Sequence, residues 1–103
     1  MTIEIDADGY PTEASVKALR QCSDVGEALD AVAEYLEECG YGRARQRSGV
    51  YRFVTGGWSG CEEVIGALHP IVGAVAWRSS HRGGLHVYAL PEFMRGDGAV
   101  RGE

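Results

Sequence analysis

At Gly42 the hydrophobic period of this chain changes from 3.6 to 2, and no other feature limits its fold as strongly. A chain that is helical before that point and turns to strands after it points to an α+β domain. Upstream, Asp24 followed by Glu27 is a capping signature, and Val25, Ala28, Leu29, Val32, Leu36 and Cys39 recur at helical spacing. A helix over 24–39 follows, closed by Gly40. Before it, the turn Asp8-Gly9-Tyr10-Pro11 and an N-cap at Thr12 predict a weaker helix to about Gln21, with Val16, Leu19 and Cys22 on one face. Thr2 to Ile5 alternates like a short strand.

Downstream, residues 43–48 and 50–54 pattern as two arms of a hairpin about Ser48-Gly49. Arg47 then faces Val50, Arg45 faces Arg52, and Arg43 faces Val54. Arg43, Arg45, Arg47 and Arg52 share one sheet face, while Tyr51 and Phe53, with Ala44 and Gln46 opposite them, turn to the core. The stretch Thr55-Gly56-Gly57-Trp58-Ser59-Gly60-Cys61-Glu62-Glu63-Val64 reads as a strand end, a glycine turn and a helix start. Ser59 with Glu62 predicts a capping box there. Cys61, Val64, Ile65 and Leu68 form the buried side of a helix of about ten residues, which Pro70 is expected to end. Residues 72–79 and 85–90 read as a second hairpin about His81-Arg82-Gly83-Gly84. Ser80 would face Leu85, Ser79 would face His86, Val75 would face Leu90, and Trp77 opposite Tyr88 would make an aromatic core pair.

The order predicts an α+β domain over 1–90, with two N-terminal helices, then β-β-α-β-β forming a four-stranded, mostly antiparallel sheet with helices on one face. The glycine-rich segment 91–103 has no pattern and is expected to be a mobile tail. The 45% apolar content supports a folded core. No apolar run approaches the roughly 20 residues of a membrane span, and the N-terminus has no signal-peptide pattern, so a cytoplasmic protein is expected. Cys22, Cys39 and Cys61 are odd in number and each sits at an apolar helical position, as buried reduced thiols do. His69, His81 and His86 form no metal-binding spacing, and nothing calls for a cofactor.

A net charge of −5 argues against a general nucleic-acid binder. The charge is unevenly spread: residues 1–40 carry ten acids against Lys17 and Arg20, whereas residues 41–103 carry five acids against eight arginines. Such asymmetry gives a partner two differently charged surfaces to read. An unpaired sheet edge at 43–48 would also allow a homodimer.

The residues Val50-Tyr51-Arg52, Thr55-Gly56-Gly57-Trp58-Ser59-Gly60, Glu62-Glu63-Val64-Ile65, Ala67-Leu68, Trp77, Ser79-Ser80 and Arg82-Gly83-Gly84 carry a resemblance. The segment from Val50 to Tyr88 resembles a family of small, functionally uncharacterised proteins of bacteriophages and prophages, those of actinobacteria above all. Cys61 stands where relatives commonly show Asn, and Leu85-His86-Val87-Tyr88 where they often carry His-Tyr. The resemblance implies a viral accessory protein working in the cytoplasm of a bacterial host, and implies no activity.

Gly57-Trp58-Ser59-Gly60-Cys61 departs from the nucleophile elbow at its fifth position, so Ser59 reads as a cap and not as a nucleophile. Glu62 and Glu63 point about 100° apart on a helix, a poor arrangement for paired carboxylates; Glu63 is free to pair with Arg78 or Arg82. Trp58 is either a core plug or an exposed anchor. Trp and Arg dominate interfaces, so the leading expectation is a non-catalytic binding module that engages a host protein through Trp58 and Arg82, with Ser59, Gly60, Glu63 and Arg52 as further binding residues. Two alternatives stand beside it. One is a small-ligand or anion (phosphate or nucleotide) binder or enzyme using the Ser59-Gly60 helix start with Arg52 or Arg82. The other is nucleic-acid contact through the Arg43, Arg45, Arg47 and Arg52 strip.

Overall fold

A computed structural model describes residues 1–91 and shows an α+β fold. The elements are α1 (Glu13–Arg20), α2 (Val25–Cys39), β1 (Arg43–Arg47), β2 (Val50–Val54), α3 (Ser59–Ala76), β3 (Trp77–His81) and β4 (Leu85–Ala89). The four strands form one antiparallel sheet in the order β1-β2-β4-β3, so the two hairpins join through their inner strands. The proposed tail from 92 onward lies outside the described residues. No helix among the described residues is long and apolar enough to cross a membrane.

Local chemistry explains the element ends. Asp24 Oδ1 accepts the Glu27 N–H at 2.8 Å and starts α2, and Gly40 takes φ +86° to end it. The Glu27 carboxylate does not complete a capping box but pairs with the Met1 ammonium. Thr12 Oγ1 caps α1 by accepting the Ser15 N–H at 3.3 Å. Ser48 and Gly49, both at positive φ, make the two-residue turn that fixes the β1–β2 register as the alternation predicts. All four arginines of that hairpin are exposed on the sheet face away from the helices. Gln46, at the sheet corner, is also in solvent.

The core lies between the sheet and the helices. Tyr51, Phe53 and Tyr88 project from β2 and β4 onto Leu29, Val32 and Leu36 of α2 and Val64, Leu68 and Val72 of α3, with Leu19 of α1 joining them. Each buried phenol keeps a partner, as burial demands. Tyr51 bonds Asp30 at 2.6 Å, Tyr35 bonds the Gly9 carbonyl at 2.8 Å, and Tyr88 meets His69 Nδ1 at 3.1 Å. At the sheet edge, Ala44 belongs to a pair that does not exchange backbone bonds with β2, so its N–H points outward. Glu37 from α2 accepts it at 2.6 Å, which blunts the edge expected to be open for a second copy.

Further expectations need correction. Thr2 to Ile5 forms no strand but a single bridge between Ile5 and Pro11. Pro70 does not end α3, which runs on to Ala76 with Val72 and Ala76 buried. Proline costs a helix the bond to the carbonyl four residues back and crowds that carbonyl; here it belongs to Gly66, which is exposed, so water can satisfy it. The second hairpin is therefore shorter than 72–79 with 85–90, and its loop is three residues long. His81 pairs with Leu85, Ser80 with His86 and Ser79 with Val87, one residue from the predicted register. A bulge between Trp77 and Ser79 then restores Trp77 opposite Tyr88. That pair is not a core contact: Trp77 is 46% exposed, and Tyr88 packs on Phe53 and His69 instead. Val75 is an exposed helical residue with no strand partner.

Candidate functional site

One end of the molecule gathers its turns. In the loop before α1, Asp6 Oδ1 accepts the N–H groups of Asp8 and Tyr10 at 2.8 and 2.9 Å, and Gly9 sits at φ +91°. Tyr35 ties this turn to α2 through the Gly9 carbonyl. The turn thereby delivers Tyr10 to Trp58, with ring centroids 4.6 Å apart. From the other side Tyr41, which follows the α2 C-cap, stacks on Trp58 at 4.1 Å with 23° between planes. Trp58 is the middle ring of three, half-buried, and Tyr41 is 55% exposed above it. The indole lies over Gly60, where an added Cβ would stand 2.2 Å from Trp58 Cζ3. Asp6, Asp8 and Gly9 line a shallow cleft beside Tyr41.

The expected capping box is not made. Trp58 is the N-cap, Ser59 is the first helical residue, and no side chain caps the end. Ser59 Oγ turns outward to the Tyr10 hydroxyl at 2.7 Å. Glu62 turns the other way, because Thr55, buried at the end of β2, donates its hydroxyl to the carboxylate. Thr55 Oγ1 in turn accepts the Gly57 N–H at 3.1 Å, and its backbone N–H goes to the Gly84 carbonyl at 2.8 Å. A Cβ on Gly84 would lie 2.2 Å from Thr55 Oγ1, so the β3–β4 turn sits directly on the β2–α3 turn. The negative charge of Glu62 in the first turn weighs against an anion there.

Of the predicted binding residues, Trp58, Ser59 and Gly60 stand together in the aromatic cluster. Arg82 is exposed on the adjoining turn. Glu63 is exposed on α3 and pairs with neither Arg78 nor Arg82 among the described residues. Arg52 is apart from them: it lies mid-strand opposite Arg45 on the far face of the sheet, out of reach of the Ser59 helix start. Cys39 and Cys61 are buried with their sulfurs 3.7 Å apart, whereas Cys22 is only half-buried. Burial first, then the bond from Cys39, pushes the Cys61 thiol up to about 12, so a reactive thiolate at the helix start is not what forms.

A second cluster escaped the sequence reading. Ser80 Oγ is 3.0 Å from His86 Nδ1 and accepts Trp77 Nε1–H at 3.0 Å. His86 Nε2 is buried without a hydrogen-bond partner and faces Glu62 Oε2 at 3.7 Å. The one-residue register error hid it by placing Ser79 across from His86. His86 shares the β4 alternation with Tyr88, which was the available sign that it points toward α3. Among the described residues no three His, Cys, Asp or Glu side chains are grouped as a metal site needs.

Comparison with known protein families, with curated proteins and with solved structures finds no match for this chain.

Proposed function

We propose that this chain is an accessory protein of bacteriophage type that binds a host protein, and that its contact surface is the three-ring end of the molecule. The observation that carries this reading is the exposed Tyr41 held flat on Trp58, with Tyr10 bracing the indole from behind. An aromatic side chain immobilised before binding loses little conformational freedom in the complex, and Trp, Tyr and Arg supply most interface hot spots. Arg82, exposed on the turn whose Gly84 meets Thr55, Gly56 and Gly57, is the charged residue of this proposed surface. The resemblance of Val50 to Tyr88 to phage proteins supports the origin.

The test captures host-lysate proteins on the immobilised chain, then measures the affinity of the captured protein after purification. Tyr41→Ala with Arg82→Ala should weaken that affinity by tenfold or more while the melting temperature holds. Equal affinity of the folded double variant would defeat the reading. A second reading rests on the open sheet face, where Arg43, Arg45, Arg47 and Arg52 flank Val50, Val54 and Val87. There a polyanion would bind with an affinity that falls steeply with salt, unaffected by the aromatic substitutions.

A further inference from the structure

We infer that Ser80 is a nucleophile activated by His86, with Glu62 positioning the imidazole, and that it accepts the acyl group of an activated ester. A serine becomes nucleophilic when a base lies within hydrogen-bond reach and a third group orients that base. Here the base is 3.0 Å from Ser80 Oγ, and the carboxylate faces the opposite ring nitrogen. Two independent contacts agree on where the protons sit. A carboxylate facing Nε2 favours the proton on that nitrogen, which leaves Nδ1 as the acceptor. Trp77 donates into Ser80 Oγ, which leaves the Ser80 hydrogen free to point at Nδ1.

The 3.7 Å separation of His86 Nε2 and Glu62 is about 0.8 Å longer than a formed bond, and Nε2 has no other partner to leave. Catalytic hydrogen bonds are often long in an empty site and tighten on the reacting state. Thr55, fixed between Gly57 and Gly84, holds the carboxylate on that side. Ser80 itself is exposed on the outer strand. Its pair with His86 exchanges no backbone bonds, because Ser79 with Val87 and His81 with Leu85 make the ladder, so the Ser80 N–H points off the edge toward a developing oxyanion. Trp77, 46% exposed, is an apolar surface beside the oxygen for an aryl or acyl group.

In the acylation step Ser80 Oγ bonds to the ester carbonyl carbon and the carbon–oxygen bond to the leaving alcohol breaks. His86 Nδ1 takes the Ser80 proton and returns it to the leaving oxygen. Water then attacks the acyl-serine by the reverse route, releasing a carboxylic acid and restoring Ser80.

The next strand position carries a natural control. His81 Nε2 is 3.0 Å from Ser79 Oγ, but that pair lies on the far sheet face, and no carboxylate accompanies it among the described residues. The experiment treats the full chain with an alkyl fluorophosphonate, which forms a serine–phosphorus bond and expels fluoride, and locates the adduct by peptide mass. A single adduct at Ser80 is expected, lost in Ser80→Ala and unchanged in Ser79→Ala. His86→Gln should slow labelling by about a hundredfold or more. Glu62→Gln should slow it and alter its pH profile, with partial recovery in Glu62→Asp. If either variant fails to fold, the wild-type profile decides: a rate that levels off as pH rises supports a base in the site, whereas one that climbs with hydroxide throughout overturns it. No adduct, an adduct at Ser79, or a rate indifferent to His86 likewise overturns the assignment. None of these outcomes bears on the aromatic surface.

Discussion

Thr55 is where the two glycine turns meet, and its single hydroxyl explains why Gly84 must be glycine. The hydroxyl serves the Glu62 carboxylate and accepts the Gly57 N–H, while the Thr55 N–H takes the Gly84 carbonyl. Gly84 combines φ +89° with no room for a Cβ. Gly84→Ala should therefore cost about 2–3 kcal/mol, more than an alanine in a permissive turn, as read by urea unfolding. At this scale the sequence was half legible. Glycines at 56, 57, 83 and 84 announce turns, but nothing local says that the two turns touch. The capping signature at Ser59 and Glu62 failed for that reason. A cap is a local bond of modest worth, and a buried threonine from another strand and a tyrosine from the N-terminal loop each made a competing offer.

Among the elements, α3 departs most from its sequence pattern. Its apolar face continues through Val72 and Ala76, and that packing outweighs one missing backbone bond at Pro70. Pro70→Ala should restore the bond to the exposed Gly66 carbonyl and raise stability by about 1–3 kcal/mol, measured as a higher denaturation midpoint at unchanged m-value. The two hairpins show the opposite contrast. In the first, Ser48-Gly49 and strict alternation left one register, which the structure bears out. In the second, the loop is one residue shorter than its glycine pattern suggests and the bulge adds one residue to β3, so that only Trp77 opposite Tyr88 survives from the expected pairing. The Ser80 and His86 cluster was lost with that register. A period of 2 leaves no tolerance for a slip of one.

At the scale of the whole molecule, alkali should act on the core. Burial foremost, and then the Glu62 charge, pushes the Tyr88 phenol up to about 12, and burial with the Cys39 bond pushes Cys61 to the same level. Both groups ionise more readily in the unfolded chain. Stability is thus fully present below their unfolded values and falls as pH rises through the folded ones. Chemical denaturation followed from pH 8 to 12 should show a falling midpoint beginning above about pH 9. A midpoint flat to pH 12 would contradict the burial of these groups. The fold class was legible at this scale because the change of period at Gly42 is a property of long stretches, which average out local errors.

The two tryptophans stand in unrelated places, one beneath Tyr41 and one donating to Ser80. Each indole is therefore a separate optical channel. Trp77→Phe leaves emission that reports only on the ring stack, and Trp58→Phe leaves emission that reports only on the serine, so titration of a partner and titration of an ester can be followed by light on an unlabelled chain.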